Sequence, residues 1–351
     1  MSRFLQLHLL TSYPPANLNR DDLGRPKTAM MGNVQRLRVS SQSLKRAWRM
    51  SEPFQSKMEG NMGTRTKRMG EDWLKRLKDG GIAEKKALGW ITKILSKFGA
   101  VEKDLPLTKQ LVHYAPEEIQ AVETLLDTLI AENRPPEDDE LTLLRNRLRV
   151  ADVALFGRML ADAPSFNKEA AAQVAHAISV HGVTVEDDFF TAVDDLNQAA
   201  EETGSGHMGV IEFGAGLFYQ YVCINMDLLY KNLDYDRQLT EQTVTALMEV
   251  VATVAPTGKQ NSFGSRAYAS YILAESGTRQ PRSLSVAYLK PVVGQNVLDE
   301  AIKNLNETRN SMDRVYGPAS EKQCIVNAAH GKGSLQELLA FASAAVPSGE
   351  G

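Results

Sequence analysis

Alternation opens the chain. From Arg3 to Leu10, Leu5, Leu7 and Leu9 fall on one side and Phe4, Gln6, His8 and Leu10 on the other, which predicts a first strand. Tyr13-Pro14-Pro15 is expected to stop it. A loop with Gly24 and Pro26 follows, then a short β-like run over Arg36–Ser40. The period changes at Ser41–Met50, where Leu44, Ala47 and Trp48 recur at helical spacing, with Ser40 or Ser41 as N-cap. Gln42, Lys45, Arg46 and Arg49 share the opposite side of that helix.

Residues 56–148 read as a charged helical insertion, with apolar positions at Trp73, Leu77, Ile91, Ile94, Phe98, Val122 and Leu126 and a breaker at Pro135-Pro136. Glu169–His181 is expected to be a helix burying Val174, Ala177, Ile178 and His181. Five glycines between Gly204 and Gly216 suit a loop or long hairpin. Leu217–Ile224 reads as a strand, Thr240–Ala255 as an amphipathic helix, and Ala267–Leu273 and Leu284–Leu289 as strands. Val297–Val315 reads as a helix, Gln323–Val326 as β-like and Leu335–Ala340 as a last helix. Outside the insertion, this order predicts a small antiparallel sheet with helices on one face.

Composition adds the ordinary profile of a globular protein: 351 residues, 43% hydrophobic, 24% charged. No apolar run is long enough for a membrane span, and Met1–Leu10 lacks the features of a signal peptide. Cys223 and Cys324 form no CxxC pair, which argues against a disulfide framework or thiolate zinc site and for a reducing cytoplasm.

The net charge of −3 taken alone argues against a nucleic-acid binder. It is a cancellation. Gly24–Arg49 carries seven basic residues and no acidic one, whereas Glu117–Glu140 carries nine acidic residues against Arg134 alone. Such blocks permit a basic groove on an acidic molecule, although solvated faces produce the same pattern.

The run Arg36–Arg49 is the strongest chemical signal. A helix N-terminus offers free N–H groups, three serines add hydroxyls, and the basic face extends the donors along one side, as a polyphosphate backbone requires. An ordinary basic surface helix has the same spacing. Asp21 and Asp22 suit Mg²⁺, but turn capping with a salt bridge to Arg20 explains them without a metal. Asp187, Asp188, Asp194 and Asp195 surround Phe189-Phe190-Thr191 without any metal-loop spacing; an exposed aromatic there suits stacking on, or wedging between, bases. The six histidines show no metal spacing, and no Walker, dinucleotide or nucleophile-elbow motif occurs.

Several strings resemble the CasC family, the repeated backbone subunit of the type I-E CRISPR surveillance complex, Cascade. They are Leu18-Asn19-Arg20-Asp21-Asp22, Arg38-Val39-Ser40-Ser41-Gln42-Ser43-Leu44-Lys45-Arg46-Ala47, Gly157-Arg158-Met159, Ala175-His176-Ala177-Ile178, Phe190-Thr191-Ala192-Val193-Asp194-Asp195-Leu196 and Glu212-Phe213. The resemblance implies an α+β fold: a modified RRM-like, ferredoxin-like palm with a large helical fingers insertion and a long thumb loop or hairpin. The palm would comprise 1–55, 149–182 and 217–351, the fingers 56–148 and the thumb 183–216.

By the same resemblance, Arg20, Lys27, Ser40, Gln42, Lys45, Arg46 and Arg49 would contact crRNA. Met159, Phe190, Thr191 and Met208 would wedge at a displaced base. Arg49 stands where the family commonly has Lys, and Met208 where it usually has Leu. The implied protein is a non-catalytic, cytoplasmic scaffold without metal or cofactor. It would bind crRNA independently of sequence and polymerise head to tail with copies of itself. Its other partners would be the large, small, 5′-end and 3′-end guide-binding subunits, and target DNA through the guide, with no membrane contact. The alternative is a backbone subunit with metal-dependent ribonuclease activity from a thumb-loop Asp; a plain single-strand RNA-binding protein is a third reading.

Overall fold

A computed structural model describes residues 2–192 and 207–347. Strand β1 (Phe4–Ala16) leads into β2 (Thr28–Met31) and β3 (Val34–Val39), then helices α1 (Ser41–Arg49) and α2 (Glu52–Lys57). The middle of the chain holds β4 (Thr64–Thr66), α3 (Met69–Asp79), α4 (Glu84–Leu95), β5 (Val112–Tyr114), α5 (Pro116–Glu132) and α6 (Ala151–Phe156). Strands β6 (Ala172–Val174), β7 (Ala177–Ser179), β8 (Glu186–Ala192) and β9 (His207–Asn225) follow. The remainder is α7 (Met226–Asn232), α8 (Arg237–Thr253), α9 (Gln260–Phe263), β10 (Tyr271–Gly277), α10 (Val297–Tyr316), β11 (Lys322–Asn327) and α11 (Leu335–Ser343).

The fold is mixed α+β, built on an antiparallel sheet in the order β11-β10-β1-β9-β7-β3-β2, with β6 and β8 also pairing to β9. β1 is an interior strand, with Leu7 opposite Ala274 of β10 on one side and Val222 of β9 on the other. Both of its faces are covered, so the alternation of β1 separates two cores rather than a core from water. Leu5, Leu7 and Leu9 pack into a cluster with Leu44 and Trp48 of α1, Phe54 of α2, Leu247 and Val251 of α8, and Leu338 of α11. Leu10 joins Tyr219, Tyr271, Leu273, Tyr288 and Leu305 on the other side. The expected small sheet with helices on one face is therefore larger and carries a second cover, made by residues 284–292 and α10.

Four local expectations change. β1 runs through Pro14-Pro15 to Ala16 with a register shift after Tyr13, because Pro14 and Pro15 are exposed and their missing donors leave the ladder intact. The stretch 169–181 is not a helix: Ala172–Val174 and Ala177–Ser179 pair with β9, and β7 also pairs with β3. Its alanines favour a helix locally, but edge pairing to a long strand satisfies the same backbone groups and wins. Leu284–Leu289 is a 3₁₀ turn over Ser285–Tyr288 rather than a strand. It seats Tyr288 in the second core and aims the Tyr288 hydroxyl at the Ala301 carbonyl (3.0 Å). Strand β10 begins at Tyr271, later than the apolar run at Ala267 suggests.

The stretch 56–148 is mainly helical, with one added short ladder, β4 against β5. Trp73, Leu77, Trp90, Ile91, Ile94, Phe98, Tyr114 and Leu126 form a core of its own. Two buried ion pairs join it to the sheet layer. Glu118 meets Arg158 at 2.8 Å with both side chains almost fully buried, and Asp152 meets Arg49 and His113. Among the described residues no helix is long and apolar enough to cross a membrane, and both cysteines are free.

Candidate nucleic-acid interface

α1 begins where the sequence places it. Ser40 has an extended backbone, and its Oγ accepts from the Ser43 N–H (3.4 Å). The first turn holds no acidic residue, so the positive end of the helix is uncompensated. Leu44, Ala47 and Trp48 are buried, turning Gln42, Lys45 and Arg46 outward. Full burial of Trp48 and Leu44 contributes roughly 2–3 kcal/mol each, which fixes the roll of the helix.

The first loop is clasped to this helix. Asn19 Oδ1 accepts from the Ser40 N–H (2.9 Å), its carbonyl accepts from the Lys27 N–H (2.8 Å), and the Lys27 carbonyl accepts from the Arg38 N–H (2.8 Å). Asp21 Oδ1 accepts from the N–H groups of Leu23 and Arg25 (both 2.9 Å), closing the turn as expected, without an ion pair to Arg20 among the described residues. Arg20 is exposed and Lys27 half-buried beside the start of α1.

Lys45 lies over the Phe156 ring, 5.7 Å from its centroid, and partial burial lowers its pKa. Its ammonium has no carboxylate partner among the described residues; neither do the side chains of Arg20, Lys27, Arg38 and Arg46. Arg38 instead donates to His176 Nδ1 (2.8 Å). Five cations without counter-charges thus gather around one helix of an acidic chain. This is the surface an external polyanion would complete.

Arg49 departs from expectation. Its Nε donates to Asp152 Oδ2 (2.5 Å) and its Nη2 to the Gly63 carbonyl (2.7 Å), with only 17% of the side chain exposed. Asp152 is fully buried and also accepts from His113 (2.9 Å) and the Gly63 N–H (3.0 Å). Burial raises the Asp152 pKa, but its partners more than reverse this, leaving it below the usual carboxylate range. Arg49 thus docks α1 on the middle segment through Asp152 and Gly63, unlike Lys45 and Arg46. Ser40 is buried and spends its oxygen on the cap, so its role there is to start the helix.

The wedge candidates lie elsewhere. Residues 207–213 of β9 pair with β8 beyond the last β1 contact at Gly214, making a two-stranded arm of roughly 20 Å. Phe190 is opposite Gly209, where a Cβ would fall 2.5 Å from the ring, so the ring covers that backbone. Thr191 is opposite Met208 and, by alternation, faces the other side of the arm from Phe190. Phe189 shares the Thr191 side with Val210, and both are about three-fifths exposed (62% and 61%). Asn17, fully buried, ties the arm down by donating to the carbonyls of Glu212 (2.9 Å) and Gly24 (3.0 Å). Arg25 adds an ion pair to Glu212 (3.1 Å).

Met159 is 77% exposed beside Phe98 and Leu111, while its neighbour Arg158 is buried against Glu118. Asp194 and Asp195 lie outside the described residues. Asp187 and Asp188 are adjacent on β8 and so face opposite sides of the arm. Arg38, His176 and Asn17 are the contributors that spacing did not single out. Only the pairing of β3 with β7 brings His176 to this helix.

These features define a class: an α+β protein with a large antiparallel sheet, a basic helix set into its edge region, and a hairpin arm. The chain belongs to the CT1975-like protein family, whose model matches residues 5–344. This bears out the CasC-type resemblance of the sequence motifs. Two solved chains are similar over nearly their whole length. One, from a "CRISPR RNA-guided surveillance complex, pre-nicking", is 30% identical with a TM-score of 0.83, covering 97% of this chain and 100% of that one. Another, from a "CRISPR RNA-guided surveillance complex", is 25% identical with a TM-score of 0.60, covering 97% and 99%. No curated protein matches the sequence.

Proposed function

We propose that this chain is a non-catalytic backbone subunit of a type I-E CRISPR surveillance complex, and that it holds the guide RNA along α1 independently of sequence. The observation that carries the reading is the strip of five cations, Arg20, Lys27, Arg38, Lys45 and Arg46, that have no carboxylate partner among the described residues and are grouped at an acid-free helix N-terminus. Phosphates are the part of RNA common to every sequence, and a row of free donors reads nothing else. The two similar solved chains come from RNA-guided complexes, which supports the same ligand.

In this reading the sheet is an RRM-like palm. Its centre is occupied by Leu5, Leu7 and Leu9 under helices, so bases do not stack on it. The segment 56–148 is the fingers and the β8–β9 arm the thumb. Copies lie head to tail on one RNA in the cytoplasm, each arm reaching over its neighbour's guide and displacing one base with Phe190, Thr191, Met208 and a facing Met159. The exposed bases between displacements pair with target DNA, while other subunits hold the guide ends.

Purified protein should co-elute with short RNA of uniform length. Lys45→Ala with Arg46→Ala should lower the slope of log affinity against log salt by about 1.4, since each phosphate contact on a single strand contributes about 0.7. An unchanged slope would remove α1 from the interface. Complementary RNA incubated with the assembled particle and Mg²⁺ should stay intact; periodic cuts that vanish in Asp187→Ala or Asp188→Ala would replace the scaffold with a ribonuclease.

A further inference from the structure

We infer that Lys27, Arg38 and His176 form, with the N-terminus of α1, a pocket for one RNA phosphodiester in which binding is coupled to uptake of a proton by His176. This rests on the guide-binding reading above and adds to it a titratable contact.

The placement comes from the sheet. Arg38 of β3 is opposite Ile178 of β7, and Val39 is opposite Ala177. One more step in that antiparallel register sets His176 opposite Ser40, the cap of α1. The first-turn N–H groups of Ser41 and Gln42 lie before the helix's own hydrogen-bond ladder and face the same end. His176 is exposed there. Among the described residues, the charged groups that act on it are Arg38 from β3 and Lys27 from the first loop, with no carboxylate.

The hydrogen bond to Arg38 fixes the protonation state. A guanidinium only donates, so Nδ1 of His176 accepts at 2.8 Å and the ring proton sits on Nε2. Partial burial, then Arg38, then Lys27 push the imidazole pKa below its ordinary 6.5, so the ring is neutral at neutral pH. A phosphodiester in the pocket reverses these terms. Its negative charge offsets Lys27 and draws the Arg38 fork to its own oxygens, a better acceptor than a neutral imidazole. That frees Nδ1 to take a proton from solvent, and the resulting imidazolium donates to the phosphate through Nε2.

The sign follows from linkage. A group whose pKa is higher in the complex than in the free protein favours the complex at low pH. That advantage is complete below the free value, which lies under 6.5, and is lost as pH rises through the bound value.

The test is fluorescence anisotropy of single-stranded RNA binding at constant ionic strength from pH 8 to pH 5.5, on the whole chain and on His176→Asn. Wild type should gain about three- to tenfold in affinity across that range, since one unit of pKa shift is a tenfold factor. The variant should lose the gain at low pH, binding about three- to tenfold more weakly than wild type at pH 5.5, and show a flattened profile. Calorimetry in two buffers of different ionisation enthalpy should report proton uptake in wild type only. Retained RNA binding with the same pH profile in both proteins overturns the inference and leaves the guide-binding reading standing. Loss of all RNA binding in wild type overturns both. Inorganic phosphate that shifts the His176 ring resonances at micromolar concentration, without pH-linked RNA affinity, would make this a free-anion site and overturn the coupling.

Discussion

Arg49→Ala separates the structural reading of that residue from the RNA-contact reading. The change removes a guanidinium whose Nε lies 2.5 Å from a fully buried Asp152 carboxylate and whose Nη2 reaches the Gly63 carbonyl at 2.7 Å. Breaking a buried pair from one side costs about 3–5 kcal/mol because the remaining charge is stranded. Here His113 and the N–H groups of Gly63 and Val153 still serve Asp152, and Arg49 is 17% exposed, so the loss belongs at the lower end, about 3 kcal/mol. For a chain of 351 residues that corresponds to a fall in melting temperature of about 4 °C. Differential scanning calorimetry reads it directly. Asp152→Asn in the same background removes the stranded charge and should recover part of the loss, which a double-mutant cycle would report as coupling between the two positions. An unchanged melting temperature with a large fall in RNA affinity would refute the structural role and return Arg49 to the phosphate track.

Other outcomes follow from the same structure. Glu275 is buried against His8 (3.2 Å) and Arg282 (2.5 Å); burial raises its pKa, but these partners hold it down to about 2 from 4.5, while burial lowers that of His8. Both shifts favour the folded chain at higher pH, so denaturant stability should fall as pH drops below 6.5 and again between 4.5 and 2. Glu275→Gln should flatten the second fall, and a persistent step would refute the assignment. Gly32 has φ +61°, and a Cβ there would lie 1.7 Å from the Leu289 carbonyl oxygen. Gly32→Ala should therefore unseat the 285–289 turn, costing about 2 kcal/mol or more in urea unfolding; near-wild-type stability would mean that the turn is free to move. Phe190→Ala should change RNA affinity less than about twofold while making the displaced base less reactive to base-specific probes; a large uniform loss of affinity or of stability would make Phe190 a packing residue.

Short-range patterns were legible wherever one element supplies its own pattern. The helices α1, α8 and α10 declare themselves by 3.6-residue periodicity, and Ser40 by its place before Leu44 and Trp48. The basic face of α1 could be read from spacing, because residues on one helix share a face in any tertiary context. The motif strings also carried the family.

Tertiary structure decided what depends on distant partners. Residues 169–181 favour a helix by composition but become strands because β9 and β3 offer an edge to pair with. Residues 284–289 alternate like a strand yet turn, since burial of Tyr288 against α10 outweighs extension. Arg49 looks identical in sequence to its neighbours Lys45 and Arg46. A carboxylate 103 positions away claims it, and no local pattern records that approach. His176 joins the basic cluster through a strand register alone. Local periodicity thus set which residues share a helix face, while long-range packing and charge pairing decided which of those cations are left without a carboxylate partner among the described residues.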